Sequence, residues 1–399
     1  MSDHAPRFTY PTRRKDPLVP PAEYAQALRE EPVCPITLAT GDPAWFVARH
    51  DDVRTALSDR RFSREALFRP GAARAQVVEP DPHSMLTMDP PRHTRLRKLA
   101  NRAFGAQRVE RLRPYIEQVA ADLLDAMEAG PCEGDLAERY ARPFALRVIC
   151  RTLGVPFEDH DEFGAWTDRF MSLTKYPPEE INRANEEMRA YFARLVRLRR
   201  EEPGDDLMSA LVRIHDAEGE PSEPEIVGLG ALLLLAGHDT TVTVLCGGTV
   251  TLLGHPDQLA LLREDPGLYP DAVEEVVRLN GPGGGTSIRI TTSDVRLGAT
   301  VIPEGSAVLA SVGTASRDPE VYPDPDRFVI RRENRTQVAF GQGPHFCIGA
   351  NLARAELAIG LRALFDRLPR LRLTVPEQQL RWKDFAALGG WEEVPVAWG

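Results

Sequence analysis

Apolar residues recur with helical spacing along most of the chain. This pattern predicts helices over residues 91–103, 109–129, 139–153, 179–202, 222–254, 270–280 and 349–366. Strand patterns are short and clustered, at residues 44–48, 287–291, 301–302 and 307–310. Ser222 and Glu225 have the spacing of a capping box at the start of the longest helix. No repeat or linker divides the chain, so we expect one mainly α domain, residues 1–399, with a small β-rich lobe.

The long central helix, residues 226–254, is apolar enough to imitate a membrane span. Its middle, however, carries His238, Asp239, Thr240 and Thr241. An aspartate at the centre of a bilayer costs about 2.5–3.5 kcal/mol on insertion scales. We therefore expect the helix to lie in the core of a soluble protein, and its polar centre indicates a functional site.

Composition narrows the class of protein. The chain has 399 residues, 42% of them apolar and 27% charged, with a net charge of −10, which is typical of a folded globular protein. The acidic balance argues against nucleic acid as a partner. The five cysteines form no paired pattern, which favours a reducing compartment. Residues 1–20 form a proline-rich arm without the apolar run of a signal peptide, so we expect a cytoplasmic protein.

The sharpest local feature is the loop at residues 340–349, which contains Phe340, Gly341, His345 and Cys347. Its glycines indicate a tight turn, and a helical pattern opens directly after Cys347. The partial positive charge of a helix N-terminus favours a thiolate there. Such a thiolate suits a nucleophile or a metal ligand, whereas the alternative is a buried structural cysteine.

This loop resembles the haem-binding signature F-x-x-G-x-H-x-C-x-G of the cytochrome P450 monooxygenases. Residues 236–241 resemble the oxygen-activating motif of that family's central helix, and residues 275–278 resemble its E-x-x-R pair. Residues 323–328 resemble the segment that completes the E-x-x-R network, and residues 89–97 resemble the bacterial haem-propionate helix. The resemblance runs from about residue 40 to the end of the chain.

The resemblance implies haem b with Cys347 as the axial thiolate ligand, an arrangement that favours O–O cleavage. It assigns the haem propionates to His93, Arg97, Arg289 and His345. His93 and Arg97 lie four residues apart, on one face of a helix. The two arginines would balance the two propionate charges. The family pattern also places four more residues at the haem: Ala236, Gly237, Phe340 and Gly341.

The central helix is implied to carry the oxygen chemistry. Ala236 and Gly237 would leave a groove for oxygen and water, and Asp239 and Thr240 would form an acid–alcohol pair that delivers protons. A threonine inside a helix can also donate to the carbonyl four residues earlier and bend the helix. Glu275, Arg278 and Arg327 are implied to form a buried ion network that holds the cysteine loop.

The substrate region departs from most bacterial relatives. Gly283, Gly284 and Gly285 stand where bulkier residues are usual, and Leu388 with Gly389 falls in the C-terminal substrate loop. Further candidate wall residues are Leu86, Met88, Val242 and Ile288. Two interpretations stay open: either the glycines leave room for a broad or planar substrate close to the porphyrin, or nearby loops fill that space.

Electrons must come from a separate protein, because too few residues follow Cys347 for a fused reductase domain. The resemblance implies transfer from NAD(P)H through ferredoxin reductase and ferredoxin. Arg95, Lys98 and Arg102 follow helical spacing and suit docking of an acidic ferredoxin, although they equally fit an ordinary solvated basic face. We expect a monomer that acts on a small molecule and contacts neither membrane nor nucleic acid.

The leading hypothesis is a haem-thiolate monooxygenase that hydroxylates or epoxidises an organic small molecule, in a tailoring step of secondary metabolism. One alternative is oxidative coupling or cyclisation without oxygen insertion. Another is a non-catalytic haem-binding sensor. The Asp239–Thr240 pair favours oxygen transfer, and a sensor would not need it.

Overall fold

The computed structural model describes residues 5–76, 79–281, 288–333, 336–384 and 386–399. Its α-helices are α1 (Ala22–Glu30), α2 (His50–Ser58), α3 (Arg92–Phe104), α4 (Ala106–Ala129), α5 (Arg142–Leu153), α6 (His160–Phe170), α7 (Pro178–Glu201), α8 (Leu207–Glu218), α9 (Glu223–Gly254), α10 (Pro256–Glu264), α11 (Tyr269–Asn280), α12 (Val312–Ala315) and α13 (Ala350–Arg367). Its strands are β1 (Thr9–Tyr10), β2 (Val33–Leu38), β3 (Pro43–Val47), β4 (Phe62–Ser63), β5 (Glu133–Asp135), β6 (Ile288–Thr291), β7 (Val295–Leu297), β8 (Thr300–Ile302), β9 (Ala307–Ala310), β10 (Arg372–Leu373) and β11 (Pro395–Ala397).

The mainly α architecture with a small β-rich region confirms the predicted fold class. Each helix predicted from periodicity is present, with its ends shifted by at most three residues. The sequence analysis missed α1, α2, α6, α8 and α10, which are only 9–12 residues long. Four of these five helices have 9–11 residues and so contain too few turns for a periodic pattern to stand out, whereas α8 has 12 residues, the same length as α5 and α11, which were predicted.

The main sheet runs β1-β2-β3-β9-β6-β4 in the described part of the chain. β9 pairs in parallel with β3 and antiparallel with β6, where Arg289 lies opposite Val308. β6 is buried along its whole length. Ile288 and Arg289 follow shortly after α11 in the chain. The sheet therefore places them beside β4, which belongs to the N-terminal part of the chain.

Helix α9 is the centre of the helical core and packs against α5, α7, α11 and α13. Its most apolar window is 72% buried inside the fold, as expected for a core helix of a soluble protein. The predicted capping box is present: the Ser222 N–H donates to Glu225 Oε2 at 3.0 Å. Gly248 lets α11 approach closely, because a Cβ there would lie 2.7 Å from Val276 Cγ1.

A buried ion network joins α11 to the irregular segment before the cysteine loop. Arg278 Nε donates to Glu275 Oε2 at 2.7 Å, and both side chains are almost completely buried. Arg278 also donates to the carbonyls of Ser316 and Pro325, at 2.8 and 2.7 Å. The second guanidinium of the network belongs to Arg332, whose Nε lies 3.1 Å from Glu275 Oε1.

The prediction that Arg327 completes this network is wrong. Arg327 lies in a turn, where its N–H donates to Asp324 O at 3.0 Å and its side chain is exposed. Only its carbonyl takes part, as an acceptor for Arg278 and Arg332. The chain continues past the buried Phe328 before the next side chain, that of Arg332, reaches Glu275.

Arg332→Ala should lower the free energy of unfolding in urea by about 2–3 kcal/mol, because it removes a charge-assisted bond to a buried carboxylate. Arg327→Ala is the matched control and should change it by less than about 0.5 kcal/mol, as for most surface substitutions. Equal losses in the two variants would show that Arg332 has no special place in the network.

Candidate functional site

The cysteine loop is a closed turn. Gly341 and Gly343 have φ of +78° and +70°, a conformation that favours glycine. A Cβ at Gly343 would lie 2.8 Å from the carbonyl oxygen of Leu57, so the loop also approaches α2 closely. The Cys347 N–H donates to Phe340 O at 2.8 Å. These contacts fix the cysteine just before α13.

The environment of the thiol contains opposing effects. Burial raises the pKa of Cys347, whereas the Gly349 N–H and the Arg97 guanidinium favour the thiolate. Arg97 also holds the loop directly, since its guanidinium donates to the carbonyls of Pro344 and Phe346. The predicted propionate residue is therefore placed against the backbone on both sides of His345.

His93 and His345 meet beside this loop, with ring centroids 4.2 Å apart. His93 is buried, and among the described residues neither of its ring nitrogens has a hydrogen-bond partner. Burial and the nearby Arg97 lower the pKa of His93 to about 4. A buried imidazole without partners costs free energy unless another group binds it.

Two buried arginines complete a cationic cluster. Burial, followed by repulsion from Arg64, lowers the pKa of Arg289 to about 9. Arg64 was not predicted; it donates to Leu86 O at 2.8 Å and to Ile288 O at 2.6 Å. Asp89 is the carboxylate that faces both arginines. Nothing in the local sequence pattern distinguishes Arg64 from the other basic residues of the chain.

The residues of this cluster fit the anionic edge of a haem. Arg97 and Arg289 would offset two propionates, while Asp89 offsets the charge of Arg64. His93 would supply ring nitrogens that are otherwise unpartnered among the described residues, and His345 lies beside it. Cys347 lies at the same cavity as Arg64, so a thiolate and a cationic edge face one space.

That cavity has a volume of about 370 Å³. Cys347, Ala236 and Thr240 line it. Of the predicted wall residues, Leu86, Ile288 and Leu388 also line it. Met88 and Val242 are buried in the helical core and are not among the lining residues that the structure describes. Gly283, Gly284 and Gly285 lie outside the described residues.

The two other predicted small residues do not open space in this cavity. A Cβ at Gly237 would lie 2.6 Å from Ile149 Cδ1, so this glycine accommodates α5. Gly389 has φ +70°, and its Cβ would lie 2.4 Å from Trp382 Cζ2. The prediction that Gly237 leaves room at the haem is wrong, because Ile149 occupies the space. At Gly389 the structure favours the interpretation in which neighbouring residues fill the space. Only Ala236 of the pair on α9 lines the cavity.

Asp239 and Thr240 face different spaces. The Thr240 hydroxyl donates to Ala236 O at 2.5 Å, the contact expected of a threonine inside a helix, and lines the cavity with Cys347. Asp239 lines a second cavity of about 430 Å³, with Arg142, Asp168 and Lys383. Burial raises the pKa of Asp239, while Lys383 and Arg142 oppose that shift.

Two contacts of α13 were not predicted. Arg354 lies over the Phe340 ring, 4.4 Å from its centroid, and its Nε donates to Glu274 Oε1 at 2.5 Å. This contact fixes the start of the cysteine loop, which includes Phe340 and Gly341. The Thr241 hydroxyl donates to the buried Glu356 at 3.4 Å. Burial raises the pKa of Glu356 to about 8.

The basic surface of α3 differs from the predicted one. Arg95 donates to both oxygens of Glu225, at 2.8 and 2.9 Å, and pairs with Glu220. It therefore belongs to the start of α9 and is not a free cation for a partner. Lys98 and Arg102 are exposed, and the described contacts give neither of them a carboxylate partner.

A family model described as Cytochrome P450 matches residues 22–266 and 268–386. The chain is a cytochrome P450. It is 43% identical to cytochrome P450 107B1 of Saccharopolyspora erythraea, over 92% of this chain and 93% of that protein. It is 40% identical to the mycinamicin IV hydroxylase/epoxidase of Micromonospora griseorubida, over the full length of both. A crystal structure of SgvP, the proposed thioether synthase of griseoviridin tailoring, matches with a TM-score of 0.95 and 43% identity, over 99% of this chain and 100% of that one.

These relatives confirm that this cytochrome P450 is a haem-thiolate monooxygenase of bacterial secondary metabolism. Its cofactor is haem, and electrons reach proteins of this class through ferredoxin reductase and ferredoxin. The non-catalytic sensor is thereby set aside.

Glu356→Gln should change how stability depends on pH. The folded state raises the pKa of Glu356 above its ordinary value of 4.5, so the stability this residue contributes is complete below pH 4.5 and is lost as the pH rises toward 8. Glutamine stays neutral, so the variant should gain roughly 1–3 kcal/mol relative to wild type between pH 5 and pH 8 in urea unfolding.

Glu186→Gln, at an exposed position of α7, serves as the control and should follow the wild-type profile. Parallel wild-type and Glu356→Gln curves over this pH range would mean that Glu356 is not held in its neutral form.

Proposed function

We propose that this cytochrome P450 inserts one oxygen atom into a C–H bond or a double bond of an organic small molecule, with Thr240 and Asp239 controlling proton delivery. The observation that carries the proposal is the shared cavity, in which Cys347, Thr240 and apolar wall residues face one space. A thiolate-ligated haem supplies dioxygen activation when it is bound there.

Thr240 supports this proposal through its position. Thr240 lies on the wall of the cavity, and its hydroxyl donates to the Ala236 carbonyl, which fixes the position of the hydroxyl beside the ligand space. Asp239 is the acid that lies next to a polar cavity with Lys383 and Asp168. Because burial raises its pKa, Asp239 is a better proton donor near neutral pH than an exposed aspartate.

The substrate that fits is a largely apolar molecule that also carries polar groups. The cavity is lined by Leu67, Leu232 and Leu235, and also by Arg74, Gln76 and other polar residues. The mycinamicin IV hydroxylase/epoxidase and the 6-deoxyerythronolide B hydroxylase carry names of polyketide macrolides, which supports a substrate of that kind. We place the reaction in the tailoring of a secondary metabolite.

Oxidative coupling without oxygen insertion is a second candidate, favoured by the similarity to the proposed thioether synthase SgvP. Isotopically labelled dioxygen distinguishes the two. A product that carries one labelled oxygen atom supports insertion, and a product that lacks only hydrogen supports coupling. A screen for macrolides that shift the haem absorption band provides the substrate for this test.

We further infer that residues 1–399 act as one domain, as a cytoplasmic monomer that receives electrons from a ferredoxin. The exposed Lys98 and Arg102 lie on α3, the same helix that presents Arg97 to the cysteine loop. A negative partner docked there would be close to the thiolate, and opposite charges speed such encounters.

Thr240→Ala should retain haem but divert reducing equivalents to hydrogen peroxide, because the hydroxyl that faces the cavity is lost. Product formed per NAD(P)H consumed should fall by roughly tenfold. Thr241→Ala is the matched control, since the Thr241 hydroxyl faces Glu356 and not the cavity. Unchanged coupling in Thr240→Ala would remove Thr240 from the mechanism.

Lys98→Glu and Arg102→Glu should each raise the ferredoxin concentration needed for half-maximal rate, by roughly tenfold at low ionic strength, and added salt should reduce the difference. Arg183→Glu is the control for a charge change on another helix. Arg183 is exposed on α7, not on α3, and Asn185 and Met188 of α7 line the substrate cavity. If all three variants behave alike, the partner docks on another surface.

A further inference from the structure

The N-terminal arm, residues 9–21, is anchored at its start to the main sheet. β1 pairs in parallel with β2, with Thr9 opposite Thr37. The Thr12 N–H donates to the Tyr24 hydroxyl at 2.9 Å. Two independent elements therefore hold the chain immediately before Arg13 and Arg14.

Beyond this anchor, Arg14 contacts the C-terminal loop at residues 382–390. Its guanidinium carbon lies 3.7 Å from the centroid of the Trp382 ring, a cation–π contact. Its backbone N–H donates to Asp384 Oδ1 at 3.2 Å, and its guanidinium donates to Pro17 O at 3.2 Å. The arm therefore fixes both the side chain and the backbone of Arg14 against the loop.

Trp382 in turn determines the shape of the loop. Its ring meets Trp391 edge to face, with centroids 5.0 Å apart. The other side of the loop passes so close that a Cβ at Gly389 would lie 2.4 Å from Trp382 Cζ2. Gly389 follows Leu388, which lines the cavity that contains Cys347 and Thr240. Thus two successive contacts and one peptide bond connect Arg14 to the substrate wall.

The C-terminal loop is also hydrogen-bonded to the helical core. The Ala387 N–H donates to Met171 O at 2.8 Å, and Met171 lines the same cavity. The Lys383 N–H donates to Gly390 O at 2.8 Å, which closes the loop on itself. A loop held at these points can transmit a shift of Trp382 to Leu388, because packed side chains do not deform continuously.

We propose that Arg14 is a positioning residue for the substrate cavity: by holding Trp382, the N-terminal arm fixes Leu388 against the bound ligand. The proposal rests on the haem site described above, and it assigns to the arm a role in substrate selection. Arg14 is not among the described residues that line the cavity, and it acts through Trp382.

The test compares two ligands of the haem-loaded full-length protein. Imidazole binds iron without reaching the wall, whereas 4-phenylimidazole also places a ring in the cavity. Arg14→Ala should raise the Kd of 4-phenylimidazole by about 3–10-fold, as expected when a partly buried cation–π contact is lost. The Kd of imidazole should stay at its wild-type value, while the thermal midpoint should fall slightly, because the cation–π contact also stabilises the folded state.

Arg13→Ala is the matched control. The Arg13 side chain is 92% exposed and approaches Asp384 only to 3.9 Å, so both Kd values should stay unchanged. A double-mutant cycle tests the route: in a Trp382→Ala background, Arg14→Ala should add less than about 1.5-fold, because coupled residues are not additive.

Equal Kd values for 4-phenylimidazole in wild type and Arg14→Ala would overturn the proposal. So would a full additional effect in the Trp382→Ala background, since Arg14 would then act by another route. If wild type itself gives no absorption shift with imidazole, the haem site fails, and this proposal fails with it. That result is distinct from a normal imidazole shift with no effect of Arg14.

Discussion

The position of Cys347 depends on one set of interactions: charged side chains that are taken out of water and held by backbone carbonyls. Arg97 donates to carbonyls on both sides of His345, and Arg278 donates to three carbonyls of the preceding segment. A guanidinium has several donors in a fixed plane, so it can join strands of irregular backbone that form no ladder of their own. The cysteine loop is irregular, yet these hydrogen bonds fix its backbone geometry.

The same residues prepare the site electrostatically. Arg64, Arg289 and Arg97 lie around two histidines, and each arginine has its pKa lowered by burial. Like charges that face each other in a buried space repel, and this repulsion is relieved when an anion enters. An anionic group such as a haem propionate would therefore be attracted to this space, in addition to the apolar contact that the porphyrin would make. Holding these cations close together costs free energy, and the packing of the surrounding helices and sheet offsets that cost.

Periodicity and capping residues were sufficient to predict the long helices and the general place of the cysteine loop, because those signals are local. The signals for the site were partly ambiguous. Arg327 and Arg332 are both arginines near the end of one irregular segment, and only the path of the chain decides which side chain reaches Glu275. A glycine is equally ambiguous, since it permits either an open space or a close approach. Gly237 and Gly389 are both cases of close approach.

The separation of Asp239 and Thr240 follows from helical geometry. Consecutive residues of an α-helix point about 100° apart, so an adjacent acid and alcohol cannot face one another. Helix α9 instead places Thr240 on the haem side and Asp239 on the polar side, with the Ala236 carbonyl engaged by the Thr240 hydroxyl. A proton that starts in the polar cavity must therefore pass around the helix, by rotation of the Asp239 side chain or along water. Helix α9 thus separates the polar cavity, which Asp239 lines, from the cavity that contains Cys347 and Thr240.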